Sequence, residues 1–260
     1  MSVSAFLVTG GTGSLGRLVA GALRDAGREV RVLSHSEKPG TVRGDLLTGE
    51  GLDEAVDDIN TIVHCASNPR EALRTDVQGT GRLLRAAERS HVSHFAYISI
   101  VGVERNPFPY YRAKLDAEGL VERSAVPWTI LRATQFHGFV FRMFGVLDRV
   151  PFFMPVPRGF LLQPVEAAEV ADRLAELALS DPAGRASDVG GPEVRTAASL
   201  ARAYLKATGG RKRVLKMSLP GKTARAVREG AQVTRMVPGS VLGKATWEEF
   251  LSRTTEPKDR

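Results

Sequence analysis

The chain has 260 residues, 43% hydrophobic and 25% charged, an ordinary globular make-up that excludes a disordered, collagenous or coiled-coil protein and fits one large α/β domain or two small ones. No apolar run approaches the roughly 18 residues of a membrane span, and a lone cysteine, Cys65, with five scattered histidines leaves no disulfide framework and no metal-ligand spacing, as expected in a reducing cytoplasm. The net charge of +7 is uneven: residues 200–260 hold 14 Lys/Arg against 5 Asp/Glu, a basic region that could face nucleic acid, an anionic cofactor or only water.

The start of the chain has no basic flank and runs straight into a glycine cluster, so a secretory leader is not expected. Phe6–Val8 reads as a strand, and Leu15, Leu18, Val19, Ala22 and Leu23 recur at helical spacing up to Gly27. Val30–Leu33 reads as a second strand, Leu52–Val56 as an acidic helix, and 59–65 as a strand. Residues 72–89 predict one long amphipathic helix, 94–100 a buried strand, 110–122 a helix and 128–131 a strand. Alternating continuous apolar strands and helices indicate a parallel sheet covered on both faces, hence an α/β, doubly wound fold. Beyond residue 135 the rhythm breaks. Seven of the eleven phenylalanines lie between Phe136 and Phe160, among Pro151, Pro155 and Pro157. This segment reads as irregular, at the mouth of an apolar pocket or filling a core or subunit contact. A helix over 166–180, a short strand over 186–189 and a mainly helical remainder follow, with a tail from Thr254 expected to fray.

Thr9-Gly10-Gly11-Thr12-Gly13-Ser14-Leu15-Gly16 is the most informative segment. It follows a strand and opens a helix, the context in which glycines admit a pyrophosphate and free helix N–H groups of Ser14, Leu15 and Gly16 face it. At the end of the second strand, where a carboxylate would bind the ribose 2′-hydroxyl of NAD, stand Ser34, His35 and Ser36, with Lys38 and Arg43 near. These suit a 2′-phosphate, so NADP(H) is the preferred cofactor, with NAD(H) as the other candidate.

Thr9–Gly16, Val30–Ser34, Gly44-Asp45-Leu46, Tyr97-Ile-Ser99, Tyr110-Tyr-Arg-Ala-Lys114, Pro127–Arg132, Gly190-Gly-Pro192 and Thr246–Phe250 resemble the NmrA-like atypical short-chain dehydrogenases/reductases. The resemblance spans almost the whole chain. It implies a Rossmann fold over 1–191, with a pocket insertion at 136–160, and a small C-terminal substrate-side lobe over 192–260. It also implies that Asp45 and Leu46 flank the adenine, that the Ala66–Ser67 loop lies near the cofactor, and that Ala133, Thr134, Gln135 and Phe136 lie beside the nicotinamide. Two departures stand out: His35 replaces the family's basic residue, and Asp76, in Asp76-Val-Gln-Gly-Thr80, replaces its asparagine.

Tyr110 and Lys114, spaced i, i+4, share a helical face. In the wider family such a pair serves as acid/base, the lysine also holding the nicotinamide ribose, while a hydroxyl at the preceding strand end, here Ser99, could hold the substrate oxygen. Tyr111 is an alternative hydroxyl, and a solvated helix face carrying the same pair is the competing reading. Cys65 reads as core, His64 and His91 as strand-edge residues without assigned roles, Arg132 as a partner of some carboxylate, and His137 as a substrate contact. The leading expectation is a cytoplasmic NADP(H)-dependent oxidoreductase of a small apolar carbonyl, quinone or enone. A non-catalytic dinucleotide sensor using the basic Arg211–Lys216 surface, and an epimerase or isomerase using bound NAD(P), are the rivals. Nucleic acid and membrane partners are not expected; a homodimer is left open.

Overall fold

The computed structural model describes residues 5–36, 40–234 and 240–256. Glu37 and Lys38, at the end of the second strand, and the tail beyond Glu256 lie outside them. In chain order the elements are β1 Ala5–Thr9, α1 Ser14–Asp25, β2 Glu29–Ser34, β3 Thr41–Arg43, α2 Leu52–Val56 and β4 Thr61–His64. A π-helical turn, Leu73–Gly79, then runs into α3 Thr80–Arg89, followed by β5 His94–Ile100, α4 Pro109–Arg123 and β6 Trp128–Ala133. Next come α5 His137–Leu147, β7 Phe153–Pro157, β8 Leu161–Leu162, α6 Ala167–Leu179, β9 Gly184–Arg185 and β10 Val189–Gly190. The series closes with β11 Arg195–Thr196, α7 Ala197–Ala207, β12 Arg213–Met217, α8 Lys222–Arg228, β13 Val241–Leu242 and α9 Trp247–Thr255.

These elements form two compact units. The first takes the described residues of Met1–Ser99, Phe108–Arg132 and Ala168–Ser187. Its strands run in the order β3-β2-β1-β4-β5-β6, with β9 beside β6. β1 pairs in parallel with both β2 and β4, β2 with β3, and β4 with β5. The order reverses at β1, so a crevice opens beyond the carboxyl ends of β1 and β4, where such folds bind ligands. Continuous apolar strands follow from burial on both faces: Leu7, Ile62, Phe95, Tyr97 and Ile130 join Leu83 and Val121 of the flanking helices in one core. The fold is Rossmann-like α/β.

The expected helix over 72–89 differs at its start, which is π-helical. The widened turn carries Asp76 fully buried, with the Thr80 hydroxyl donating to the Asp76 carbonyl at 2.5 Å. A π-turn inside a helix commonly marks a functional position.

The second unit takes Ile100–Pro107, Ala133–Ala167 and the described residues of Asp188–Arg260. Here the Phe-rich segment is regular, not irregular: it forms α5 and β7, and β7 pairs in parallel with β12. Val140 and Phe144 are wholly buried with Met154, Leu200, Tyr204, Trp247 and Leu251. Phe136, Val140 and Phe144 keep helical spacing, but apolar residues on the other faces hide that period. Pro155 and Pro157 are tolerated because β7 has a single strand partner. In the same unit Val189 of β10 pairs with Ala133 and with Val241 of β13. Helix α9 continues through Thr255, held at its start by a capping box between Thr246 and Glu249.

Candidate functional site

The glycine loop leaves β1 and turns at once. Gly10 has φ +65°, and a Cβ there would sit 2.7 Å from the Ala66 backbone. A Cβ on Gly16 would meet the Gly10 carbonyl at 2.4 Å. Both positions therefore require glycine. The Gly13 N–H closes the turn on the Gly10 carbonyl at 2.8 Å. Helix α1 starts at Ser14 with no side-chain cap and no acidic residue in its first turn. The first-turn N–H groups of Ser14, Leu15 and Gly16 lack i−4 partners, and the helix dipole adds positive potential there. Thr12, Gly13 and Ser14 are exposed. This is a cradle of bare amides that a Cβ would fill and that a side-chain cap would otherwise occupy, and it fits a diphosphate.

At the end of β2, Ser34 is half-buried and His35 is 79% exposed, its Nδ1 3.9 Å from Asp45 Oδ1. Asp45 Oδ1 also accepts from the Leu47 N–H at 2.7 Å, which fixes the carboxylate beside the turn that follows β3. Leu46 is buried against Gly79 of the π-turn. Beyond β4, Ala66 and Ser67 form the loop under the glycine turn, with the Ala66 N–H donating to Thr9 Oγ1 at 3.3 Å.

The structure joins Tyr110 to Ser67: the two hydroxyls lie 2.8 Å apart. Tyr110 stands in the first turn of α4, which Pro109 starts. Burial pushes the Tyr110 phenol up to about 12, with the Ser67 hydrogen bond opposing and the Asp76 charge adding. Lys114, one turn on, is 2% exposed. Its Nζ donates to the Ile98 carbonyl at 2.8 Å, lies 3.6 Å from Asp76 Oδ1 and sits 4.2 Å from the centre of the Tyr97 ring. Burial pulls its pKa below the usual lysine range, against Asp76 and Glu118, which raise it. Ser99 is buried, and among the described residues its hydroxyl makes no hydrogen bond to Tyr110. Tyr111 packs edge-on against Tyr110.

Several neighbours carry roles that residue type alone does not announce. His64 is fully buried between Thr9 Oγ1 at 2.6 Å and Thr80 Oγ1 at 2.8 Å, stacked on Tyr97, so it ties the glycine loop to α3. Burial, with the Lys114 charge, lowers its pKa to about 3. Burial pushes the Cys65 thiol up to about 12, far from a thiolate nucleophile. Arg132 finds its carboxylate in Glu118, through Nε at 2.9 Å and Nη2, and Arg185 adds a third bond at 3.0 Å. Burial raises the Glu118 pKa, but Arg132 and its other partners outweigh it and hold the group low. For His64 and Arg132 the sequence signal is a polar residue inside an apolar strand, and Glu118, on α4, has no such signal.

In the second unit, the segment after β6 is held by Gln163. Thr134 Oγ1 donates to the Gln163 carbonyl at 2.5 Å, and Gln135 Oε1 accepts from the Gln163 N–H at 3.1 Å. The Gln163 amide also donates to the Gly191 carbonyl at 2.8 Å, while its Oε1 accepts from the Thr234 N–H. Ala133 is buried and Phe136 half-buried, bridged to Val165. His137, expected to touch a substrate, is 1% exposed and packs on Trp247 and Phe250 with Glu166 3.9 Å away. In the basic stretch, Lys212 is paired with Asp148 at 3.1 Å, leaving Arg211 and Lys216 exposed.

Residues 10–138 match the NAD(P)H-binding family. A (4-alkanoyl-5-oxo-2,5-dihydrofuran-3-yl)methyl phosphate reductase of Streptomyces griseus is 32% identical over 207 residues, which is 74% of this chain and 69% of that one. Among solved structures, the NADPH-dependent quinone oxidoreductase of Escherichia coli, bound to NADPH, superposes with a TM-score of 0.79 at 16% identity, over 96% of this chain and 99% of that one. MoeE5 in complex with UDP-glucose and NAD gives 0.75 at 20% identity, over 97% and 98%. At these identities the two structures show a shared fold. No helix among the described residues is long and apolar enough to cross a membrane.

Proposed function

We propose, from the premise that this chain belongs to the NAD(P)H-binding family, that it is an NADP(H)-dependent reductase of a small apolar carbonyl, quinone or enone. The observation that carries this reading is the Ser67–Tyr110 hydroxyl pair at 2.8 Å in the unit that also holds the glycine cradle. The cradle amides hold the diphosphate, and Ser34 and His35 receive the 2′-phosphate. A bound dinucleotide supplies the hydride. Tyr110 gives a proton to the substrate oxygen, and Ser67 fixes the direction of its hydroxyl. Lys114 holds α4 against β5 through the Ile98 carbonyl. The reductase named above, whose substrate is by name an acyl-bearing oxo-dihydrofuran, supports the enone member of that class. The lone cysteine suits a reducing cytoplasm.

The test is loss of NADPH absorbance with purified protein and a panel of quinones, enones and ketones. Turnover with at least one of them is expected. Tyr110→Phe should lower kcat by roughly 10²–10⁴ with little change in cofactor affinity, since it removes only a proton donor. Tight NADPH binding with no turnover across the panel would instead favour the dinucleotide sensor.

A further inference from the structure

We infer that Asp76 is a positioning residue: it binds Lys114 away from Tyr110 and so keeps Tyr110 a proton donor. The inference rests on the reductase reading above and extends it to a residue with no previous role. Lys114 Nζ has three partners: the Ile98 carbonyl at 2.8 Å, the face of Tyr97 at 4.2 Å and Asp76 Oδ1 at 3.6 Å. No hydrogen bond joins it to Tyr110 among the described residues. The ammonium of an i, i+4 pair would ordinarily stabilise a phenolate; here a carboxylate neutralises it.

Asp76 is built for this task. It is 0% exposed, and its Oδ2 is anchored by the Asn68 N–H at 3.1 Å. Its Oδ1 accepts no hydrogen bond and is left to the ammonium. The π-turn delivers it inward, where the Thr80 hydroxyl, itself bonded to His64, ties down the Asp76 carbonyl. An asparagine would fill the same space without the charge. The titratable and charged groups facing this cluster are Asp76 from the π-turn, His64 from β4 and Cys65 just beyond it, Tyr97 from β5, and Tyr110, Tyr111 and Glu118 from α4. Asp76 repels a phenolate on Tyr110, in the same direction as burial.

The step then balances as a reduction. A dinucleotide held by the cradle would supply a hydride to the carbonyl carbon; as the C=O π pair moves to oxygen, that oxygen takes the Tyr110 proton. The carbonyl is reduced to an alcohol, the dinucleotide is oxidised, and the exposed Ser67 hydroxyl passes a solvent proton back to the phenolate.

The experiment is a spectroscopic titration of tyrosinate absorbance for wild type and Asp76→Asn, each minus its Tyr110→Phe counterpart, which isolates Tyr110 without needing turnover. Beside it runs the pH profile of NADPH-dependent quinone reduction. Asp76→Asn should move the Tyr110 transition down by about one pH unit or more, and draw an alkaline loss of kcat down with it. NADPH affinity should stay within about threefold. A folded Asp76→Asn protein whose Tyr110 titrates where wild type does overturns the inference. Should that variant not fold, Lys114→Met leaves the Asp76 charge unneutralised and must move the Tyr110 transition up, and Asp76→Asn/Lys114→Met, which removes both charges together, must bring it back toward the wild-type position; a Lys114→Met protein whose Tyr110 titrates where wild type does overturns the inference. A shifted titration without any turnover would sustain Asp76's role and sink the reductase reading instead.

Discussion

Gly10 shows how little room the loop allows. A methyl group there would lie 2.7 Å from the Ala66 backbone at φ +65°, and backbone cannot yield as a flexible side chain can. Gly10→Ala should therefore cost about 1–3 kcal/mol of stability and weaken NADPH binding, read by denaturant unfolding and calorimetry. His35 is the residue on which cofactor choice turns. Asp45, 3.9 Å away, draws it toward a carboxylate that a 2′-phosphate must tolerate. His35→Arg should raise the NADPH-over-NADH ratio of kcat/KM by about tenfold, through a permanent charge-assisted bond. His64 carries a pH signature. Its folded pKa of about 3 lies below the unfolded 6.5, so its stabilisation is complete above pH 6.5 and is lost as pH falls toward 3. Denaturation midpoints should drop across that window, less steeply in His64→Gln.

Among the elements, β1, the loop and α1 were legible because glycine, apolar run and helical period all agree there. The same holds for β4 to β6 and α4. The short strands β3, β8, β9 and β11 were not, since two or three residues carry no measurable period. The Phe-rich helix α5 was hidden by apolar residues on all its faces. Around the site, Tyr110 and Lys114 were visible as a spacing, yet their partners were not: Ser67 and Asp76 reach them from 43 and 38 residues earlier in the chain. In the sequence Asp76 stands out only as a departure from a family pattern. Between α4 and β6, Glu118 is fully buried and bound by Arg132 and Arg185. Glu118→Gln leaves Arg132 without its counter-charge and should cost about 3–5 kcal/mol, measurable as a lowered urea midpoint.

At the scale of the whole molecule, the second unit has its own core around Phe144, Tyr204 and Trp247. Trp247 is 3% exposed and donates its indole N–H to the Leu200 carbonyl at 3.2 Å. Trp247→Ala should cost about 3–5 kcal/mol and broaden or split the unfolding transition. The polypeptide passes between the two units five times, at 99/100, 107/108, 132/133, 167/168 and 187/188. Neither unit is thus a continuous stretch of gene. No single truncation can release one intact, and a nick by protease at 107/108, 132/133 or 167/168 yields fragments that each hold parts of both. Domain grafting or shuffling within this architecture must exchange several segments at once.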